Sequence, residues 1–132
     1  MKGSCLCGAV SVEAPETQGV GACHCGMCRK WGGGPLLAVP GGKAVRFGNE
    51  AAITRYASSD WAERGFCRHC GSHLFSFVKP TGDYYLPVGL FDGQAGFKLE
   101  EEIFIDCKPA YYSFAQQTHQ LTEQQFMAQH GG

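Results

Sequence analysis

The sequence predicts a mainly β, sheet-dominated domain with a short helix near its C-terminal end. Three observations carry that reading. The 132 residues include 19 glycines and 6 prolines, which cut the chain into short segments. The segments between them alternate apolar and polar residues or form brief apolar runs, as strands do. Helix start and stop signals are sparse. At this length the expectation is one domain spanning residues 1–132, with a modest core. A glycine-rich chain loses extra backbone entropy on folding, so bound metal would offset a real cost.

In chain order, Gly8 makes a turn and residues 9–14 alternate as a strand. Residues 35–39 form an apolar run between two glycine-rich turns, Gly32-Gly33-Gly34 and Pro40-Gly41-Gly42. Two short strands are expected at 44–47 and 53–56, separated by Gly48-Asn49-Glu50. Residues 73–78 alternate well, with Leu74, Ser76 and Val78 on one face and Phe75 and Phe77 on the other. The turn Pro80-Thr81-Gly82-Asp83 leads into a strand at 84–88, and a further strand is read at 103–106. The C-terminal helix has Thr122 as N-cap, Gln125 as its capping-box partner and Gly131 as a stop. Leu121, Phe126 and Met127 would dock it on the sheet, and a second short helix is expected around 25–30.

Charge excludes several function classes. The formal net charge is -1 and the pI about 6.5, so no broad field draws a nucleic acid. The N-terminal MKGSCLCGAV lacks the apolar run of a signal peptide, and no segment approaches a membrane span. The expectation is a cytoplasmic protein, where clustered thiols stay reduced and bind metal rather than pair as disulfides.

Seven of the 8 cysteines fall into three clusters: Cys5 and Cys7; Cys23, Cys25 and Cys28; Cys67 and Cys70. Soft sulfur ligands at such spacings select zinc, with an iron–sulfur cluster as a lesser alternative. A structural zinc takes four protein ligands, whereas a catalytic zinc takes three and keeps a position open. Two pairs and a triplet therefore suggest two zinc ions, one of each kind. Cys5, Cys7, Cys67 and Cys70 would clamp the N-terminus to the middle of the chain, against the alternative of disulfides or a redox pair. Cys23, Cys25 and Cys28 would hold the catalytic ion, against a closed second site completed by Cys107 or a histidine. Cys107, beside Ile103-Phe104-Ile105, reads better as a small buried hydrophobe.

Three thiolates on a divalent zinc leave a formal charge of -1, which makes a weak generator of hydroxide. Such a site still deprotonates an incoming thiol and leaves it nucleophilic. Arg29 and Lys30 would balance the charge or hold a substrate carboxylate, unless they form a solvated basic turn. His24 is expected to orient a ligand from outside the coordination shell or to lie exposed. Trp31 reads as a packing residue, against the alternative of flooring a substrate pocket; Trp61 and Phe66 read as core, His69 as exposed, and His73 as structural, against orienting a thiolate. His119 and His130 carry no signal, and Asp92 has the simple role of a turn hydrogen bond.

The segments GSCLCGAV, ACHCGMCRKWGGG, RGFCRHCGSHLF, PVGLFD and IFIDCKPAYY stand in this order between Gly3 and Phe114. Together they resemble the glutathione-dependent formaldehyde-activating enzyme family, which includes centromere protein V-like proteins. The resemblance implies a zinc-bearing β-tent fold of short antiparallel strands. It also implies a structural zinc on Cys5, Cys7, Cys67 and Cys70, and a catalytic zinc on Cys23, Cys25 and Cys28. The family's namesake activity joins glutathione to formaldehyde as S-hydroxymethylglutathione and is classed as a carbon–sulfur lyase. Cys107 belongs to neither motif. The expected function is thus a zinc-dependent carbon–sulfur lyase taking a small thiol such as glutathione and a small aldehyde. The alternative is a non-enzymatic interaction module stabilised by two structural zincs, with nucleic-acid binding third.

Overall fold

Turns at glycine and proline leave room only for short strands, and the computed structural model, described over residues 1–129, contains eleven of them with two helices. The strands are β1 (Lys2–Ser4), β2 (Ser11–Glu13), β3 (Gly19–Cys23), β4 (Leu36–Gly42), β5 (Arg46–Gly48) and β6 (Ile53–Ala57). They continue with β7 (Ala62–Cys67), β8 (His73–Val78), β9 (Asp83–Pro87), β10 (Lys98–Ile103) and β11 (His119–Leu121). The helices are α1 (Gly26–Gly32) and α2 (Glu123–Gln129). The mainly β expectation holds.

The strands form two sheets. A three-stranded sheet has the order β1-β2-β5, and an eight-stranded sheet has the order β11-β10-β3-β4-β9-β8-β7-β6. Most pairings are antiparallel, but β10 runs parallel to both β3 and β11. The expected antiparallel strands make up the rest of both sheets, and these two parallel pairings stand beside them. Parallel neighbours need long connections, and the β3-to-β10 connection carries most of the remaining sheet.

The core lies where the two sheets meet. Val10 and Val12 come from the small-sheet side, Val20, Val39, Leu74, Phe75 and Leu86 from the large sheet, and all join one buried cluster. Phe47 of β5 packs on Phe75 with ring centroids 5.3 Å apart, and Tyr84 meets Phe75 edge-on at 5.2 Å. Cys5 and Cys67 are members of the same cluster. A metal held there cross-links residues that are already packed.

Strand β8 coincides with the expected 73–78, and β6 and β9 match within a residue. The strand expected at 103–106 instead ends at Ile103. Phe104 adopts left-handed backbone at φ 54, and Ile105–Cys107 forms a 3₁₀ turn. This turn lifts Cys107 off the sheet. Cys107 is half-buried, with its thiol 3.9 Å from a Glu123 carboxylate oxygen, rather than a core hydrophobe. Trp61 and Phe66 are likewise half-buried and stand outside the core cluster.

The capping box of α2 is formed as expected. The Gln125 N–H donates to the Thr122 hydroxyl at 3.2 Å, and the Thr122 N–H donates back to the Gln125 side chain at 2.8 Å. The helix docks on β11 and on the 3₁₀ turn, where Phe126 meets Phe104 at 5.6 Å. Gly131, expected as its stop, and His130 lie outside the described residues. Among the described residues no helix is long and apolar enough to cross a membrane.

Candidate metal centres

The four-cysteine group is built from two similar turns. Cys5 and Cys7 follow β1; Cys67 ends β7 and Cys70 sits in the turn before β8. Each turn closes on a glycine with left-handed backbone, Gly8 at φ 80 and Gly71 at φ 77. The Gly8 N–H donates to the Cys5 carbonyl at 3.1 Å, and the Gly71 N–H donates to the Cys67 carbonyl at 2.8 Å. A side chain at either position would be strained, which is why glycine stands there. Ser72 ties the turns together: its hydroxyl accepts the Leu6 N–H at 3.0 Å and lies 3.2 Å from the Cys70 sulfur.

The ligand atoms of Cys5, Cys7, Cys67 and Cys70 all lie within 4.8 Å of one another. Cys5 and Cys7 sulfurs are 3.6 Å apart, and those of Cys7 and Cys67 are 3.8 Å apart. Sulfurs at about 2.3 Å from a tetrahedral ion stand about 3.8 Å from each other, so this spacing fits a four-sulfur metal site. A disulfide needs about 2.05 Å, and all eight cysteines are free. The Val10 N–H donates to the Cys5 sulfur at 3.3 Å. The Ser72 hydroxyl, followed by the Ser72 and Cys7 N–H groups, pulls the Cys70 thiol down to about 5. Both contacts favour the ionised sulfur that a metal binds.

The second group comprises Cys23 at the end of β3, Cys25 as the N-cap of α1 and Cys28 in its first turn. Their sulfurs also lie within 4.8 Å of one another. The Cys28 N–H donates to the Cys25 sulfur at 3.3 Å. Hydrogen bonds from Cys23 and Cys28 draw the Cys25 thiol down to about 2, while the same sharing pushes Cys23 well up. Among the described residues neither Cys107 nor a histidine joins these three sulfurs.

His24, between two of those cysteines, is fully buried rather than exposed. Its Nε2 lies 2.8 Å from a Glu102 carboxylate oxygen, and its Nδ1 lies 2.7 Å from the Tyr112 hydroxyl. A carboxylate only accepts, so Nε2–H is the donor. Glu102 also accepts from the Thr118 hydroxyl at 2.6 Å and the Gln120 amide at 3.5 Å. Burial works against the Glu102 charge, but these hydrogen bonds outweigh it and hold the carboxyl below its usual range. Burial also pushes the Tyr112 phenol up, keeping its proton available for Nδ1. The arrangement pins the backbone between Cys23 and Cys25 to β10 and the segment after it.

Other expected residues fall into place around this group. The Arg29 Nε–H donates to the His24 carbonyl at 3.0 Å, so Arg29 braces the turn; Lys30 is exposed. Trp31 stacks on His73 at 3.6 Å, nearly parallel. Burial first, then the Arg64 charge, holds the His73 imidazole below its ordinary range. His69 is exposed as expected, and His119 is an exposed residue of β11. The Asp92 main-chain N–H donates to the Lys2 carbonyl at 3.1 Å, a contact across the fold in place of the turn hydrogen bond expected of its side chain. Sequence reasoning missed Arg64, Glu102 and Tyr112. The signal for Arg64 was its parity with buried Ala62 in β7; for Tyr112 it was the aromatic pair in IFIDCKPAYY.

Comparison with known proteins agrees with this geometry. The family profile described as glutathione-dependent formaldehyde-activating enzyme matches residues 1–107. A Schizosaccharomyces pombe protein described as an uncharacterized lyase is 33% identical over 128 residues, covering 96% of this chain and 93% of that one. A crystal structure of a Rhodobacter sphaeroides protein, 28% identical, superposes with a TM-score of 0.62, covering 70% of this chain and 89% of that one. With two cysteine groups able to hold metal ions on a mainly β scaffold, the chain belongs to the glutathione-dependent formaldehyde-activating enzyme family.

Proposed function

We propose that the protein is a zinc-dependent carbon–sulfur lyase that makes or breaks a thiol–carbonyl adduct, S-hydroxymethylglutathione from glutathione and formaldehyde being the leading case. The carrying observation is the convergence of three sulfurs, with no fourth His, Cys, Asp or Glu ligand grouped with them among the described residues. Cys5, Cys7, Cys67 and Cys70 would hold a structural zinc, and Cys23, Cys25 and Cys28 a catalytic one. A zinc held by Cys23, Cys25 and Cys28 would supply the acidity that lets an incoming thiol give up its proton. In the net reaction the thiol sulfur bonds to the carbonyl carbon, the carbon–oxygen π bond opens, and the oxygen takes up the proton.

The chain's own residues support that chemistry by position. Cys25 and Cys28 are held by α1 and Cys23 by β3, which brings the three sulfurs within 4.8 Å of one another. His24 and Arg29 hold the connecting backbone in place. The reading includes a reducing, cytoplasmic setting, supported by eight free thiols, and small-molecule partners, supported by a net charge of -1. Exchange NMR of thiol and aldehyde, with and without zinc-loaded protein, tests the proposal. Faster exchange for at least one thiol of a panel is expected. No acceleration across the panel overturns it.

A further inference from the structure

Arg64 has no counter-ion of the ordinary kind. Its side chain is 4% exposed, and among the described residues no carboxylate pairs with it. Its Nε is buried without a hydrogen-bond partner. The two terminal nitrogens lie 3.5 and 3.6 Å from the Cys28 sulfur, and the guanidinium sits over Trp31, 5.1 Å from the ring centre. Trp31 also stacks on His73, whose imidazole is held below its ordinary range by burial and then by the Arg64 charge. A cation withdrawn from water needs an opposing charge. Among the described residues, the cysteine triplet is the group in contact with Arg64 that can carry it.

The charge count gives this contact a function. Three thiolates on a divalent ion sum to -1, and a fourth thiolate would bring the site to -2. With Arg64 included, the same steps run from 0 to -1. We propose that Arg64 is a positioning residue of the three-cysteine site, whose fixed charge on Cys28 lets the site accept an anionic thiolate as its fourth ligand. The inference rests on the open-site reading above. It reassigns the balancing charge from Arg29, which is engaged with the His24 carbonyl. Hydrogen bonds to the Cys28 sulfur act in the same direction, since they draw electron density from a ligand and strengthen the ion's hold on a fourth.

The test uses full-length protein loaded with cobalt, whose sulfur-to-metal absorption reports thiolate binding directly. Glutathione is titrated as the anionic ligand and imidazole as the neutral one, for wild type, Arg64→Gln and Arg64→Lys. Arg64→Gln is expected to weaken glutathione binding by about 10- to 100-fold, the effect of one charge several Å away at an effective dielectric near 20. Imidazole binding should change by less than about threefold, and Arg64→Lys, which keeps the charge but loses the two-nitrogen contact, should lower glutathione affinity by less than about tenfold. Equal losses for both ligands, or no loss for glutathione, overturn the proposal. Should Arg64→Gln fail to fold, Arg64→Lys decides: a tenfold or greater loss of glutathione affinity there contradicts a role for charge. If wild type takes up neither ligand, the site is closed and the open-site reading falls with it. If wild type and Arg64→Gln bind glutathione equally, only the role of Arg64 falls.

Discussion

Membership of the hydrophobic cluster separates the two cysteine groups where burial alone does not, since Cys7 is exposed and Cys28 is buried outside that cluster. Cys5 and Cys67 are 2% and 0% exposed and belong to the hydrophobic cluster, whereas Cys23 and Cys25 are half-buried at the end of a strand and the start of a helix. A structural zinc contributes about 10 kcal/mol or more to folding, comparable to the whole stability of a small domain. Cys67→Ser should therefore unfold the chain, as read by circular dichroism. Cys25→Ser should keep a cooperative melt and about one zinc per chain while losing activity. Equal loss of structure in both variants would refute the division. The ligand sets were legible because cysteine spacing is local. Arg64 and His24 were not, because each is defined by a partner far along the chain: Cys28 for Arg64, and Glu102 and Tyr112 for His24.

Turns and strands hold these residues, and their weak points can be tested one at a time. Gly71 has left-handed backbone and open space where a Cβ would go, so Gly71→Ala carries conformational strain without a clash. It should cost about 1–2 kcal/mol and speed loss of the structural metal to a chelator, followed with a zinc dye. Glu102 joins β10 to the turn between Cys23 and Cys25. Glu102→Gln should lower stability by about 2–3 kcal/mol in urea melts at neutral pH. Because its folded carboxyl is held low, its contribution is full above the unfolded value of about 4.3 and fades as pH falls through the folded one. The gap between wild type and variant should accordingly narrow below about pH 4. Strand β8 was legible from its period-two pattern and α2 from its capping box. Strands β7 (AERGFC) and β10 (KLEEEI) were not read, because charges stand where an apolar alternation was sought. In both strands the charge is buried, with Arg64 against the Cys28 sulfur and Glu102 against His24.

Across the whole molecule, the two sheets share one core and the four-cysteine group crosses between the N-terminal turn and the end of β7. Stripping metal with a strong chelator should abolish the cooperative melt, and adding zinc back should restore it; a persistent melt in metal-free protein would contradict a structural role. The central claim concerns the other group, where three sulfurs lie together without a fourth ligand among the described residues. X-ray absorption on zinc-loaded protein reads the ligand count directly. An open site beside a closed one predicts an average of about 3.5 sulfurs per zinc, rising toward 4 when glutathione is added. Four sulfurs on both zincs before any thiol is added would contradict it.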